Sequence, residues 1–117
     1  MEELNLFKRD FVERSLRSFL DIAILARLED TPVNGYGITV FFMKKFGVSI
    51  STSTVYSTLY TLERTGLVKR KPSWKGRVYE LTERGKSTLK DNRNRLGEVQ
   101  NFLKILRGNE HRMDYAQ

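Results

Sequence analysis

Two kinds of side chain lie almost end to end in this chain of 117 residues. The first is a run of hydroxyls, Ser53, Thr54, Tyr56, Ser57, Tyr60 and Thr61, closed by Arg64; the second is a set of cations, Lys69, Lys71, Lys75 and Arg77. Hydroxyl and guanidinium groups on one short segment can bond base edges and phosphates, and lysines and arginines beside them can neutralise a phosphate backbone. Neither set is equipped for catalysis. The chain has no cysteine and one histidine, His111, set in a polar terminal stretch. That composition rules out disulfides and thiolate metal sites and leaves no Ser/His/Asp arrangement to build. No glycine-rich phosphate loop follows a strand, and the carboxylates are scattered. No enzyme, no metal and no cofactor is expected.

The positioning elements follow from spacing. In Ser51 to Arg64 the apolar residues Val55, Leu59 and Leu62 recur at the helical interval, a narrow stripe that a helix buries. Turning roughly 100° per residue from Val55 puts Ser53, Ser57, Tyr60 and Arg64 on the far side, with Tyr56 and Thr61 on its flanks. Ser51 is the expected N-cap and Gly66 the expected stop. Leu67 to Lys71 and Arg77 to Leu81 then read as two strands around a turn from Pro72 to Gly76. Helix followed by basic hairpin is the pattern of a winged helix.

Charge agrees with this placement. The net charge is +7, from 21 Lys plus Arg against 14 Asp plus Glu. Residues 64 to 86 carry eight basic side chains against Glu80 and Glu83, so this one segment holds +6 of the total. A positive field concentrated on a hairpin suits phosphate neutralisation; an ordinary solvated basic face is the plainer alternative.

The rest of the chain reads as support. Glu2 to Glu29 contains no Gly or Pro and is expected to be helical throughout, apolar nearly all round from Phe19 to Leu28. Its first part carries a thinner stripe, Leu4, Phe7 and Phe11, suited to an arm on a partner surface or else to a frayed terminus. Asp30 to Asn34 breaks the chain, and Asn34 caps a helix from Gly35 to about Phe46 that buries Ile38, Phe41, Phe42 and Phe46. Two helices joined by a short Gly-containing turn, the second with a polar face, form a helix-turn-helix.

After the hairpin, Thr82 caps a long last helix reaching about Arg107. Along it Leu89, Asn92, Leu96, Val99, Leu103 and Leu106 step by threes and fours, the seam of nearly three heptads. Such a seam needs a second helix, either the chain's own first helix or the same helix of a second copy. Gly108 stops the helix, and residues beyond it are expected to be disordered. The expected divisions are an arm over 1–14, a winged-helix unit over 15–81, a dimerisation helix over 82–107 and a tail over 108–117. No apolar run approaches the roughly 20 residues of a membrane span, and the N-terminus is too charged for a signal peptide, so a cytoplasmic, nucleoid-associated protein is expected.

The segments Gly35-Tyr-Gly-Ile38, Ile50-Ser51 through Val55-Tyr56, Leu59 to Glu63, Gly66-Leu-Val68 and Tyr79 to Gly85 together resemble the PadR family of transcription regulators, over roughly Leu16 to Leu106. The resemblance implies a mostly α winged helix with a small β-hairpin, whose long N- and C-terminal helices build a homodimer. It also implies a regulator, commonly a repressor, that binds double-stranded DNA. Ser53, Thr54, Tyr56 and Ser57 match the family's DNA-reading helix, and Lys71, Lys75 and Arg77 its wing. Members often carry Pro where this chain has Thr52. Drug-binding members use aromatics on the last helix, whereas the only Trp, Trp74, sits at the wing tip; there it could enter a minor groove or fold back on the hairpin. A small-molecule effector is left open. A small architectural protein coating DNA without sequence preference is the alternative that composition also allows.

Overall fold

The computed structural model describes residues 2–74 and 76–108, with side chains from residue 10 onward. Lys75, the side chains of Leu4 and Phe7, and residues 109–117 with His111 lie outside the described residues. The elements run α1 (Glu2–Ser18), α2 (Leu20–Asp30), α3 (Gly35–Phe46), α4 (Thr52–Arg64), β1 (Val68–Ser73), β2 (Gly76–Leu81), α5 (Glu83–Arg93) and α6 (Leu96–Arg107).

Three helices start where short polar side chains can accept from the first open amides. Asn34 accepts from Gly37 N, Ser51 from Thr54 N and Thr82 from Gly85 N, each the capping geometry its sequence position implies. α4 ends in a full Schellman motif: Gly66, at φ 79°, donates to the Glu63 carbonyl, and Leu67 donates to the Leu62 carbonyl. The chain therefore reverses into the hairpin within two residues.

α2, α3 and α4 close around one core. Leu20, Ile24, Leu25 and Leu28 from α2 meet Ile38 and Phe42 from α3, Val55, Leu59 and Leu62 from α4, and Ile50, Val68, Tyr79 and Leu89 from the connecting elements. β1 and β2 pair antiparallel, from Val68 opposite Leu81 to Ser73 opposite Gly76. The connection is thus tighter than the Pro72 to Gly76 turn expected from composition. Val33 adds a single bridge on the open edge of β2, exchanging both backbone bonds with Tyr79 at 3.2 and 2.9 Å.

Both long helices expected from the sequence are broken. The first breaks at Phe19, whose amide reaches back only to the Leu16 carbonyl at 3.2 Å. Ser15 and Ser18 return their hydroxyls to the carbonyls of Phe11 and Arg14, a habit that bends helices. Phe19, expected in the buried part, stands exposed as a result, and Phe46 at the end of α3 is exposed too.

The last helix breaks at Asn94 and Arg95. The Arg95 amide bonds Asn92 rather than residue 91, and the Asn92 side chain donates to the Thr88 carbonyl. Asp91-Asn-Arg-Asn94 is a weak helix-forming run, and tertiary contacts pull its two ends apart. Leu89 is drawn into the core, and Arg93 grips Glu29 at the end of α2 through two 2.8 Å contacts. The heptad seam therefore does not run from Leu89 to Leu106 on one helix. Leu89 belongs to the chain's own core, beyond the expected boundary at residue 81, and α6 buries none of its side chains.

One glycine is demanded by close approach. A Cβ on Gly85 would run into the Leu67 backbone carbonyl, because Thr82 ties the start of α5 to the end of α4 through Gly66 and Leu67. Gly85→Ala is expected to cost about 1 to 3 kcal/mol as an overpacking change, read as a lowered melting temperature. An unchanged melt would mean that this junction yields easily.

Candidate nucleic-acid interface

The apolar stripe of α4 points inward, which forces its other residues outward. Val55 and Leu59 are fully buried and Leu62 nearly so. Ser53, Tyr56, Ser57, Tyr60, Thr61 and Arg64 are exposed, and Thr54 is half-buried. Their hydroxyls differ in what they have left to offer. Thr54 Oγ1 lies 2.8 Å and Ser53 Oγ 3.2 Å from the capping Ser51 Oγ. Thr61 donates to the Ser57 carbonyl at 3.3 Å. The hydroxyls of Ser57, Tyr56 and Tyr60 have no hydrogen-bond partner among the described residues, so they can still donate outward.

The polar side of α4 divides in two. Thr54, Ser57, Thr58 and Thr61 line a cleft of about 360 Å³, faced across it by Arg17, Ser18, Leu20 and Asp21 from the α1/α2 corner. Nothing in the spacing of Glu2 to Glu29 places Arg17 there, because the break at Phe19 sets the corner. On the opposite flank Tyr60 and Arg64 stack, the guanidinium 5.6 Å from the ring centre. Tyr56 lies over Gly35: a Cβ there would meet the Tyr56 ring at 2.5 Å, so the Gly-Tyr-Gly run at the start of α3 makes room for this ring.

The hairpin likewise has two faces, because side chains alternate along a strand. Val68, Arg70, Arg77, Tyr79 and Leu81 share the face turned toward α4, whereas Lys69, Lys71 and Glu80 share the other. The cations Lys69, Lys71 and Arg77 are all exposed, but they do not form one patch. Arg70 joins Arg77 on the α4 side, where its Nε donates to Glu63 at 2.8 Å. Strand alternation alone identifies Arg70 once the core position of Val68 is known. On the other face, one Glu80 oxygen sits 3.5 Å from Lys69 and the second 2.9 Å from Lys71. The bonded Lys71 ammonium holds the Glu80 carboxyl below the usual carboxylate range. Burial pushes the Tyr79 phenol up. Trp74 at the tip is 90% exposed.

Among the described residues no cluster of His, Asp or Glu could hold a metal ion, and no helix is long and apolar enough to cross a membrane. Three helices around one core, the last of them the capped α4 with its outward polar side chains, and a basic two-stranded wing define a winged helix-turn-helix protein. Residues 24–91 match the transcriptional regulator PadR-like family, and the chain belongs to that family. Its members are transcriptional regulators, not enzymes.

Solved structures agree. A PadR family transcriptional regulator from Eggerthella lenta superposes with a TM-score of 0.74 at 20% identity, covering 93% of this chain and 100% of that one. A PadR family transcription regulator from Clostridium difficile gives 0.64 at 25% identity over 77% of this chain and 99% of that one. Bacillus subtilis PadR, in complex with operator DNA, gives 0.56 at 32% identity, covering 62% of this chain and 45% of that one. Comparison with curated proteins returned no match.

Proposed function

We propose that this chain is a dimeric, sequence-specific DNA-binding repressor that acts on the chromosome in the cytoplasm. The observation that carries the reading is the outward polar face of α4, with Ser57, Tyr60 and Arg64 exposed beside a basic hairpin. In this arrangement α4 enters the major groove, where hydroxyls and Arg64 reach base edges and phosphates. The wing lies along the adjacent backbone, with Arg77 and Arg70 on the face turned to α4. Support comes from the operator complex of the Bacillus subtilis relative, 32% identical over the shared region.

Dimerisation is assigned to α6. Leu96, Leu103 and Leu106 are exposed along one stripe, widened by Phe102 and Ile105, and a stripe of that kind is covered by a second copy in an α6 to α6 pairing. Phe11 and Val12 on α1 are also exposed and extend the apolar surface available to the partner. Asn92, exposed and bonded to its own helix, lies before the break and outside this stripe.

Selection of bound duplexes from a random-sequence library tests the reading. Enrichment of a two-fold symmetric motif supports it; binding without enrichment would favour the architectural alternative. Arg77→Ala should weaken binding to every sequence alike and lower the magnitude of the salt slope by about one, the signature of one lost phosphate contact. A changed base preference instead would make the wing a reader of sequence.

A further inference from the structure

We propose that Glu80 is an intramolecular stand-in for phosphate: it holds Lys69 and Lys71 back from DNA and so limits how tightly the chain binds duplex of arbitrary sequence. The inference rests on the DNA-binding reading above. Its basis is the outer face of the hairpin. Lys69 stands directly opposite Glu80 in the strand register, and Lys71 is opposite Val78, one diagonal step away on the same face. Each carboxylate oxygen therefore takes one ammonium group, at 3.5 and 2.9 Å, without any loop having to move.

The three side chains differ in exposure in the sense the proposal requires. Glu80 is the sheltered member at 24%, while Lys69 and Lys71 are 63% and 48% exposed. A phosphate can reach the lysines, but it must draw them from a carboxylate that stays close and repels it. At a preferred site the base contacts of α4 add to the attraction and hold the wing down long enough for the exchange. At a random site those contacts are missing, so the lysines stay with Glu80. One carboxylate thus withholds two of the wing's cations where sequence does not match. The inner face lacks this arrangement, since Arg70 faces Glu63 through its Nε alone.

The test compares the wild-type protein with Glu80→Gln, titrating a labelled random-sequence duplex and a selected duplex across a salt series. In Glu80→Gln the random duplex should bind about tenfold tighter or more at low salt, with a salt slope steeper by about one to two, as two further phosphates are neutralised. The selected duplex should gain less, so the specificity ratio falls. Adding Lys69→Ala and Lys71→Ala to Glu80→Gln should return the slope to the wild-type value. Equal slopes for wild type and Glu80→Gln, or weaker binding by Glu80→Gln, would overturn the proposal, as would a gain that survives loss of both lysines. Glu80→Thr, which keeps a strand-forming residue and removes the charge, gives the same readout should Glu80→Gln melt early. If the wild type binds neither duplex, the DNA-binding reading itself fails and the inference falls with it; a wild type that binds while Glu80→Gln matches it isolates the failure to Glu80.

Discussion

Leu59→Ala is expected to lower the unfolding free energy by about 2 to 5 kcal/mol and to leave the DNA affinity of the folded fraction unchanged. Leu59 is fully buried, midway along the α4 stripe between Val55 and Leu62, and its removal opens a cavity where α2, α3 and α4 meet. Ser57→Ala is the counterpart from the outer side of the same helix. Its hydroxyl has no partner among the described residues, so stability should move by no more than about 0.5 kcal/mol. Binding should lose on the order of 1 kcal/mol where a base or phosphate is left unsatisfied. Melting temperature and operator affinity measured on both variants separate the faces. A Ser57→Ala protein that unfolds while binding normally would mean that the contact face of α4 lies elsewhere.

The second large effect is expected on α6. Leu96→Asp combined with Leu103→Asp should convert a dimer to a monomer, because burying a carboxylate in an apolar helix pairing costs several kcal/mol per chain. Both leucines are about half exposed in the isolated chain and neither is part of the core. The variant should therefore keep its circular dichroism and lose only its assembly. Sedimentation of the wild type decides the point: a monomer at micromolar concentration contradicts the α6 pairing.

Features set by neighbours in sequence were legible before any coordinates. Asn34, Ser51 and Thr82 cap because a short side chain meets an amide three residues on, and Gly66 ends α4 because a left-handed turn is needed there. Features set by neighbours in space were not. The break at Phe19 and the one at Asn94 fall where no Gly or Pro stands; each lets one half of a helix enter the core while the other leaves it. Leu89 fits a heptad perfectly well by spacing, yet the pull of the core takes it out of the seam. The division of the hairpin cations between two faces was readable from alternation, but only with Val68 fixed as the inward residue. Arg70 at Glu63, and Glu80 between Lys69 and Lys71, come from pairings across strands and between helix and strand. Gly35 and Gly85 look like ordinary helix-start glycines until the Tyr56 ring and the Leu67 carbonyl are seen against them.

The hairpin is anchored at its base. There Thr82 bonds both Gly66 and Leu67, Val33 bridges Tyr79, and Val68 is locked in the core. Mechanically the root is a clamp. A clamp there fixes the direction in which the wing leaves the end of α4. Amide hydrogen exchange should record the clamp: Tyr79, held by the Val33 bridge, should exchange with the slowest core amides, whereas the Arg70 amide opposite it, turned outward from β2, should exchange faster.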